Sequence, residues 1–437
     1  RTYKDQVYDA FDAFGTDVAA KANDDHTLVV LLEHRCPWLP DLLARSCFIP
    51  LHPKTVKGSE RAFDPGELLT NGAYVLKGRG PKPRPGLLNP ESLVHIVQSS
   101  SYAGPRKGGM PEIFAYTGQG PAEDLRRLTS GDLQWMARAV AANRKEVAGR
   151  QGYVERPTGE LLVLRLRCDR PPFDDPKVRR ALATAIDRGH LAKALWPRPD
   201  EAIRIVPPHV AGPGAAPRAP QEDPAAAKRL LHEAGLAGDD FPWVELQYEE
   251  HDDAPLDDLA DALTRQWEKR LGAEMGLRIE EPRQARRLRR AGAFQLQLGT
   301  LGGSASDPGA WIGSLSVHHP EAGLGWTDEG FEALLAAARN VDALLTGGEA
   351  AVDALPDPAS FRTRVDAARR GGAREKDALR RALLTAAESR ILEACAVIPL
   401  VWPGWAAVEA QVQGLGADAA WRHPTFVGCL RSARCVR

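Results

Sequence analysis

The residues with the greatest potential for chemistry lie at 297–319, where serines, an acid and adjacent histidines follow an apolar run. The segment 302–306 (GGSAS) differs from the GxSxG nucleophile motif of hydrolases because its last residue is a serine. His318 and His319 are neighbours, and neighbouring side chains point apart on a helix or a strand. This region therefore predicts neither a serine nucleophile nor an HExxH zinc site.

Other candidate reactive groups have simpler interpretations. The acidic pairs at 252–253 and 257–258 fall in a predicted loop and a helix start, where solvated carboxylates are common. The basic run at 283–290 lacks the interleaved aromatics of a nucleic-acid site, which favours a solvated helix face. Isolated histidines without ligand spacing are His190, His209, His232 and His251. We therefore expect no catalytic residue, cofactor, metal or nucleic-acid partner.

The cysteines form no CxxC pair and no zinc-finger group with histidine, although the chain contains six of them. Cys36/Cys47 and Cys429/Cys435 are close enough in sequence to form disulfides in an oxidising compartment. Free buried thiols are the alternative, and the sequence leaves both open.

Length and composition limit the class of protein. A chain of 437 residues is too long for one ordinary core, so two or more domains or lobes are expected. With 43% hydrophobic and 26% charged residues it has the balance of a soluble globular protein. A formal net charge of -1 gives no electrostatic reason to bind nucleic acid or an anionic membrane. The first residues lack the apolar region of a signal peptide, so export cannot be deduced from them.

Helix and strand patterns alternate along the chain, which predicts an α/β arrangement. The pattern predicts a helix at 3–22 and, in the middle third, a helix that begins at Pro176 and is capped by Asp174 or Asp175. A long amphipathic helix is expected at 256–271. Residues 338–376 are rich in Ala, Gly, Asp and Arg, which predicts an inserted, partly mobile surface segment.

Several motifs, in order along the chain, resemble a known family. The segment 173–188 (FDDPKVRRALATAIDR) closely resembles the helix that opens the second lobe of the family 5 bacterial extracellular solute-binding proteins. These are the peptide-, dipeptide- and nickel-binding components of ABC importers. Further landmarks follow or precede it in the family's order: 71–74 (NGAY), 130–132 (SGD), 223–235 (DPAAAKRLLHEAG), 266–272 (QWEKRLG), 306–308 (SDP), 331–335 (FEALL) and 393–400 (EACAVIPL).

The resemblance implies a two-lobed, periplasmic-binding-protein-like (class II) α/β fold with hinge strands and an interlobe cleft. Residues 1–66 would be the remnant of a small subdomain attached to lobe I, and 67–165 would form lobe I. Residues 166–400 would form lobe II, including the inserted segment 338–376, and 401–437 would return to lobe I. The strands that cross between the lobes are expected near 166–169 and 399–403. The family's usual N-terminal segment is absent, so the chain is a fragment or has lost it.

The resemblance also indicates ligand-binding residues after the central strand of lobe II. Peptide-binding relatives have a Trp early in this segment and an acidic residue just before the Asp-Pro pair. That acidic residue pairs with the peptide's free ammonium group. Aligned on Asp307, these positions are Leu301 and Ser304, so both hallmarks are absent. Either Asp307 or another acid replaces the missing charge, or the ligand has no free amino terminus. The alternative role for Asp307 is that of a helix N-cap.

Three aromatic residues are placed near the cleft by the resemblance: Trp311, Trp402 and Trp405. Their apolar faces could stack on a ligand, and ordinary core packing is the alternative.

These observations predict the extracytoplasmic solute-binding component of an ABC importer, located in the periplasm or on the extracytoplasmic face. It would bind a peptide or peptide-like solute by hinge closure, contact the ABC permease subunits, and act as a monomer. The alternative is a solute-binding fold that now serves as a sensory or protein-interaction module.

Overall fold

The computed structural model describes most of the middle of the chain. Its described residues are 20–31, 39, 43, 52, 69–79, 93–104, 110–116, 120–139, 143–157, 159–197, 199–211, 216–249, 256–302, 307–319, 322–409, 412–413 and 434–435. Within them no helix combines the length and apolar character needed to cross a bilayer.

Strands and helices alternate through the described part, as the sequence pattern predicts. The strands are β1 (Ala20–Asp24), β2 (Thr27–Val30), β3 (Tyr74–Arg79), β4 (Leu93–Gln98), β5 (Glu112–Tyr116), β6 (Met136–Ala139), β7 (Tyr153–Pro157), β8 (Glu160–Leu166), β9 (Asp200–Glu201), β10 (Val244–Glu249), β11 (Met275–Glu280), β12 (Leu296–Gly302), β13 (Val397–Trp402), β14 (Gly404–Val408), β15 (Val412–Gln413) and β16 (Arg434–Cys435). The helices are α1 (Pro121–Ser130), α2 (Arg144–Val147), α3 (Pro176–Thr184), α4 (Arg188–Ala194), α5 (Pro208–Ala211), α6 (Pro224–Glu233), α7 (Leu256–Leu271), α8 (Pro282–Arg290), α9 (Pro308–Gly313), α10 (Glu329–Arg339), α11 (Val341–Thr346), α12 (Gly348–Asp353), α13 (Pro358–Arg370) and α14 (Ala373–Glu393).

A six-stranded sheet, here called the large sheet, organises the larger lobe. Its strand order is β11-β10-β12-β8-β13-β9. β10 is parallel to β11 and β12, whereas β8 is antiparallel to both β12 and β13. Because β8 lies in the middle, its neighbours cover both of its edges and its side chains are buried on both faces.

Helices cover the large sheet on both faces. Leu162, Leu164 and Leu166 of β8 point to one side, here called the apolar face, where α3, α6 and α7 pack. Leu161 and Val163 point to the other side, here called the mixed face, where α9, α10, α13 and α14 pack. The name reflects three buried polar side chains that alternate with the apolar-face residues: Arg165, Gln247 and Gln297.

Local sequence signals define where the helices of the apolar face begin. α3 starts at Pro176, and the Asp175 side chain accepts a hydrogen bond from the Lys177 backbone N–H, as predicted for one of the two candidate caps. α6 starts at Pro224 with Asp223 as its cap. α7 matches the long amphipathic helix predicted at 256–271 and buries Trp267 completely.

A three-stranded sheet, here called the small sheet, forms the base of the smaller lobe with the order β6-β14-β7. β7 continues past Gly159 into β8, and β13 continues past Pro403 into β14. Two neighbouring connections therefore join the sheets. The crossing expected at 399–403 is confirmed, but the one expected at 166–169 is wrong because β8 already pairs within the large sheet. The predicted lobe boundaries stay a prediction.

The segment 338–376 is not an inserted surface loop. It forms α11, α12 and α13 and the start of α14, and it buries Leu344, Phe361 and Val365 in the core of the mixed face. Its apolar residues recur at helical spacing, and that spacing is hidden by the surrounding Ala, Gly and Arg. The prediction of a partly mobile surface segment is therefore wrong.

The first part of the chain is described only in pieces. β1 and β2 form a hairpin, and β3, β4 and β5 form a separate antiparallel sheet. Most of the helix predicted at 3–22 lies outside the described residues, and the part that is described belongs to β1. The predicted role of residues 1–66 as a subdomain remnant stays a prediction.

Candidate functional site

The end of β12, the start of β8 and the end of β13 lie side by side, next to the two connections between the sheets. This end of the large sheet is here called the seam. Leu301 and Gly302 at the end of β12 pair with Leu161 and Glu160 at the start of β8. The last residues of β13 lie on the other side of β8, where Val401 pairs with Leu162. The segment that leaves β12 and both connections to the small sheet therefore start from one edge.

Aromatic side chains fill the seam from the mixed face. The rings of Trp311 and Trp402 meet edge to face, with centroids 5.8 Å apart. Gly302 has φ +130, and a Cβ on it would lie 2.4 Å from the Trp311 ring and 3.4 Å from the Gly159 carbonyl oxygen. Because the ring occupies the space of a side chain at Gly302, only glycine fits there. Trp311 thus packs directly against the backbone of a strand end and close to the first crossing.

Both tryptophans and Leu301 are buried, at 3%, 5% and 7% exposure for Trp311, Trp402 and Leu301. This matches the core-packing alternative for the two aromatic residues. A stacking role against a ligand stays a prediction for them, as does a contact from Leu301. For Trp405 the structure describes the backbone, which pairs with Arg156 in the small sheet. Ser304 lies outside the described residues.

Asp307 is the N-cap of α9, as the alternative reading of the sequence predicted. Its Oδ1 accepts a hydrogen bond from the Gly309 backbone N–H at 2.7 Å. Its two oxygens also accept from Arg380 on α14, at 2.7 and 2.8 Å. With both oxygens engaged and the charge paired, the carboxylate is a poor partner for a ligand's ammonium group.

Arg380 is the residue of this site that sequence reasoning missed. It is buried, and its Nε also donates to the Ala338 carbonyl oxygen at 3.1 Å. Arg380 fixes α9 to α10 and α14, and so holds the end of the segment that follows β12. No local pattern could have found it, because its partner lies in a distant part of the sequence and only the fold brings them together.

A cavity of about 260 Å³ lies beside this ion pair, lined by residues of α9, α10 and α14 that include Gly309, Gly313 and Arg380. This volume is below the range of about 300–1,000 Å³ that is usual for sites of drug-sized ligands. Among the described residues there is also no group of three or more His, Cys, Asp or Glu side chains that could hold a metal ion.

Two described cysteines, Cys168 and Cys395, are free. Burial raises the pKa of both thiols to about 11, so they stay protonated and poorly nucleophilic at neutral pH. The pairing of Cys36 with Cys47 and of Cys429 with Cys435 stays a prediction.

Comparisons with known proteins agree with this architecture. The chain is 28% identical over 335 residues to the probable deoxycholate-binding periplasmic protein of Escherichia coli (strain K12), covering 75% of this chain and 60% of that protein. It is 26% identical over 293 residues to the periplasmic oligopeptide-binding protein of the same organism, covering 64% and 52%. The chain thus spans 60% or less of the length of these curated relatives.

Solved structures share the fold. A periplasmic oligopeptide-binding protein from Borrelia burgdorferi superimposes with a TM-score of 0.68 at 20% identity, over 99% of this chain and 78% of that one. The two-lobed α/β fold implied by the sequence resemblance is therefore confirmed.

The model of a protein family, described as bacterial extracellular solute-binding proteins, family 5 middle, matches residues 2–318. That match covers well over half of the chain and includes β8, β12 and α9. This chain therefore belongs to the family 5 bacterial extracellular solute-binding proteins.

Proposed function

We propose that this chain is the solute-binding part of an ABC importer, and that it acts on the extracytoplasmic face by closing two lobes around its ligand. The observation that carries this proposal is the pair of neighbouring connections at Gly159 and Pro403. Two short connections between two sheets permit rotation of one lobe against the other and restrict other motions. Family membership and the periplasmic relatives support the location and the role.

The ligand class follows from the charges at the end of β12. Peptide-binding relatives are expected to use an acid for the ligand's ammonium group, and this chain has Ser304 at that position. Asp307 cannot substitute while Arg380 holds both of its oxygens. We infer a peptide or peptide-like solute whose amino terminus is blocked or absent. One relative is named as a probable deoxycholate binder, and deoxycholate has no amino group.

The decisive experiment compares matched ligands. A set of short peptides is tested by thermal shift and calorimetry, each with a free and with an acetylated amino terminus. A solute at a hundred times its dissociation constant should raise the free energy of unfolding by about 2.7 kcal/mol. We expect acetylated peptides to bind at least as tightly as free ones.

Clear preference for free amino termini would refute the inferred ligand class. If neither set nor a deoxycholate sample stabilises the protein, the transport role is refuted. The sensory or protein-interaction alternative, which the replaced Trp and acid positions favour, would then be tested by capture of a partner protein.

A further inference from the structure

Trp196 belongs to the larger lobe by sequence but packs on the core of the smaller lobe. It lies in the loop between α4 and β9, both elements of the larger lobe. Its side chain contacts the cluster that includes Met136, Val147 and Val408 below the small sheet. Among the described residues that pack on this cluster, Trp196 is the one that the larger lobe supplies.

Tyr153 supports this contact, because it packs on the same cluster as Trp196 and the indole N–H is near enough to lower the pKa of the Tyr153 hydroxyl. That hydroxyl donates a hydrogen bond to Glu155 on the same strand. Burial, together with the bond to Glu155, raises the pKa of Tyr153 to about 12. The phenol is therefore neutral at physiological pH and can accept and donate at the same time.

The contact lies close to the axis about which the lobes would rotate. β9 follows the Trp196 loop directly and pairs with the end of β13, where Asp200 is opposite Trp402. The second connection between the sheets, Pro403, comes immediately after Trp402. Points near a rotation axis move least, so this contact can persist while the outer parts of the lobes travel further.

We propose that Trp196 is an interlobe fulcrum that restricts the relative orientation of the two lobes before any solute binds. Its aromatic ring fixes the larger lobe against the small-sheet core, and Tyr153 fixes the ring. A protein whose lobes sample fewer orientations before solute binds loses less conformational entropy on closure. The effect on solute affinity rests on the proposed function, whereas the effect on lobe orientation does not.

The test measures the distance between the lobes without solute. Spin labels are carried by a non-natural ketone amino acid in place of Lys145 and Lys228, which are exposed, lie on different lobes and leave the cysteines untouched. Pulsed dipolar spectroscopy then compares wild type with Trp196→Ala. The control is Trp243→Ala, since Trp243 is 66% exposed and precedes β10, outside the small-sheet core.

We expect Trp196→Ala to broaden the distance distribution and Trp243→Ala to leave it unchanged. Equal distributions in wild type and Trp196→Ala would overturn the fulcrum. If Trp196→Ala fails to fold, Trp196→Phe decides: it keeps a ring, but a smaller one without the indole N–H, so intermediate broadening is expected. A wild-type width in Trp196→Phe would then overturn the proposal.

Affinity is a separate readout. For any solute that binds the wild type, Trp196→Ala should weaken binding by about threefold to tenfold, the range expected for one aromatic contact. If no solute binds the wild type, the proposed function fails and the distance measurement still decides the fulcrum.

Discussion

The two faces of the large sheet are built differently. On the apolar face, the inward-facing strand residues, such as Leu164 and Leu246, are hydrophobic and pack on α3, α6 and α7. On the mixed face, Arg165, Gln247 and Gln297 are buried in neighbouring strands. Since burying a polar group costs free energy unless it is hydrogen-bonded, the mixed face gains less stability from the same buried area. It is also the face that holds α9 and the seam, so the candidate site lies on the side of the sheet where the strands bury polar side chains.

The strongest test of this comparison removes a large buried side chain from the apolar face. Trp267 is fully buried there, and its indole N–H donates to the Leu182 carbonyl oxygen at 3.1 Å. Trp267→Ala should lower the free energy of unfolding by about 4 kcal/mol, because it leaves a cavity and an unpaired carbonyl. Urea denaturation followed by circular dichroism measures the change. Trp243→Ala is the control, with an expected change below about 0.5 kcal/mol.

A buried carboxylate is the strongest polar contributor on the mixed face. Glu388, with 1% exposure, accepts from Arg204 at 2.8 Å and from the Ile205 and Val206 backbone N–H groups at 2.7 and 2.9 Å. Glu388→Ala should cost about 3 kcal/mol, since it strands the Arg204 charge and two buried donors. The control is Glu233→Ala, whose side chain pairs with Lys177 on the surface. Equal midpoints in urea for the two variants would show that the mixed face gains nothing from this network.

An ion pair at the start of α10 should make part of the stability depend on pH. Burial raises the pKa of Asp328, but hydrogen bonds from Arg390 and the backbone outweigh burial, so the net pKa lies below the ordinary 3.8. The stabilisation is therefore present above the unfolded pKa and lost as pH falls through the lower folded value. Asp328→Asn keeps a capping side chain but loses the charge that pairs with Arg390, so it should cost about 1 kcal/mol at pH 7.

Thermal melts of wild type and Asp328→Asn between pH 7 and pH 3 measure this dependence. The gap between the two should narrow on acidification. A gap that widens toward pH 3 contradicts the assigned direction.

The smallest effect on stability is expected at Gln297, a buried polar side chain of the mixed face that makes few hydrogen bonds. Within the described residues, the Gln297 side-chain oxygen has no hydrogen-bond donor, and its nitrogen makes one long bond of 3.4 Å to Ala285. Gln297→Met keeps the shape and removes the polar atoms, so stability should change by less than about 1 kcal/mol, in either direction. A loss of stability near that of Glu388→Ala would mean that the buried polar side chains of the mixed face are fully hydrogen-bonded and stabilise the fold.

Features set by neighbouring residues could be predicted from the sequence. The cap at Asp175, the start of α3 at Pro176 and the N-cap role of Asp307 each depend on a few adjacent positions. The roles of Arg380 in the candidate site and of Trp196 between the lobes could not be predicted, because both residues act through contacts with distant segments. β8 is apolar at five of its seven positions and does not alternate cleanly, so its pattern does not reveal which sheet it joins. That ambiguity explains the misplaced first crossing.

The position of β14 has a consequence for how the protein is made. It is the central strand of the small sheet, yet it follows every strand of the large sheet in the chain, while its partners β6 and β7 precede all of them. During synthesis β6 and β7 therefore lack their shared partner strand until the ribosome has produced every strand of the large sheet. The small sheet is completed after the large one, and a nascent chain released before β14 is made would expose unpaired strands to aggregation.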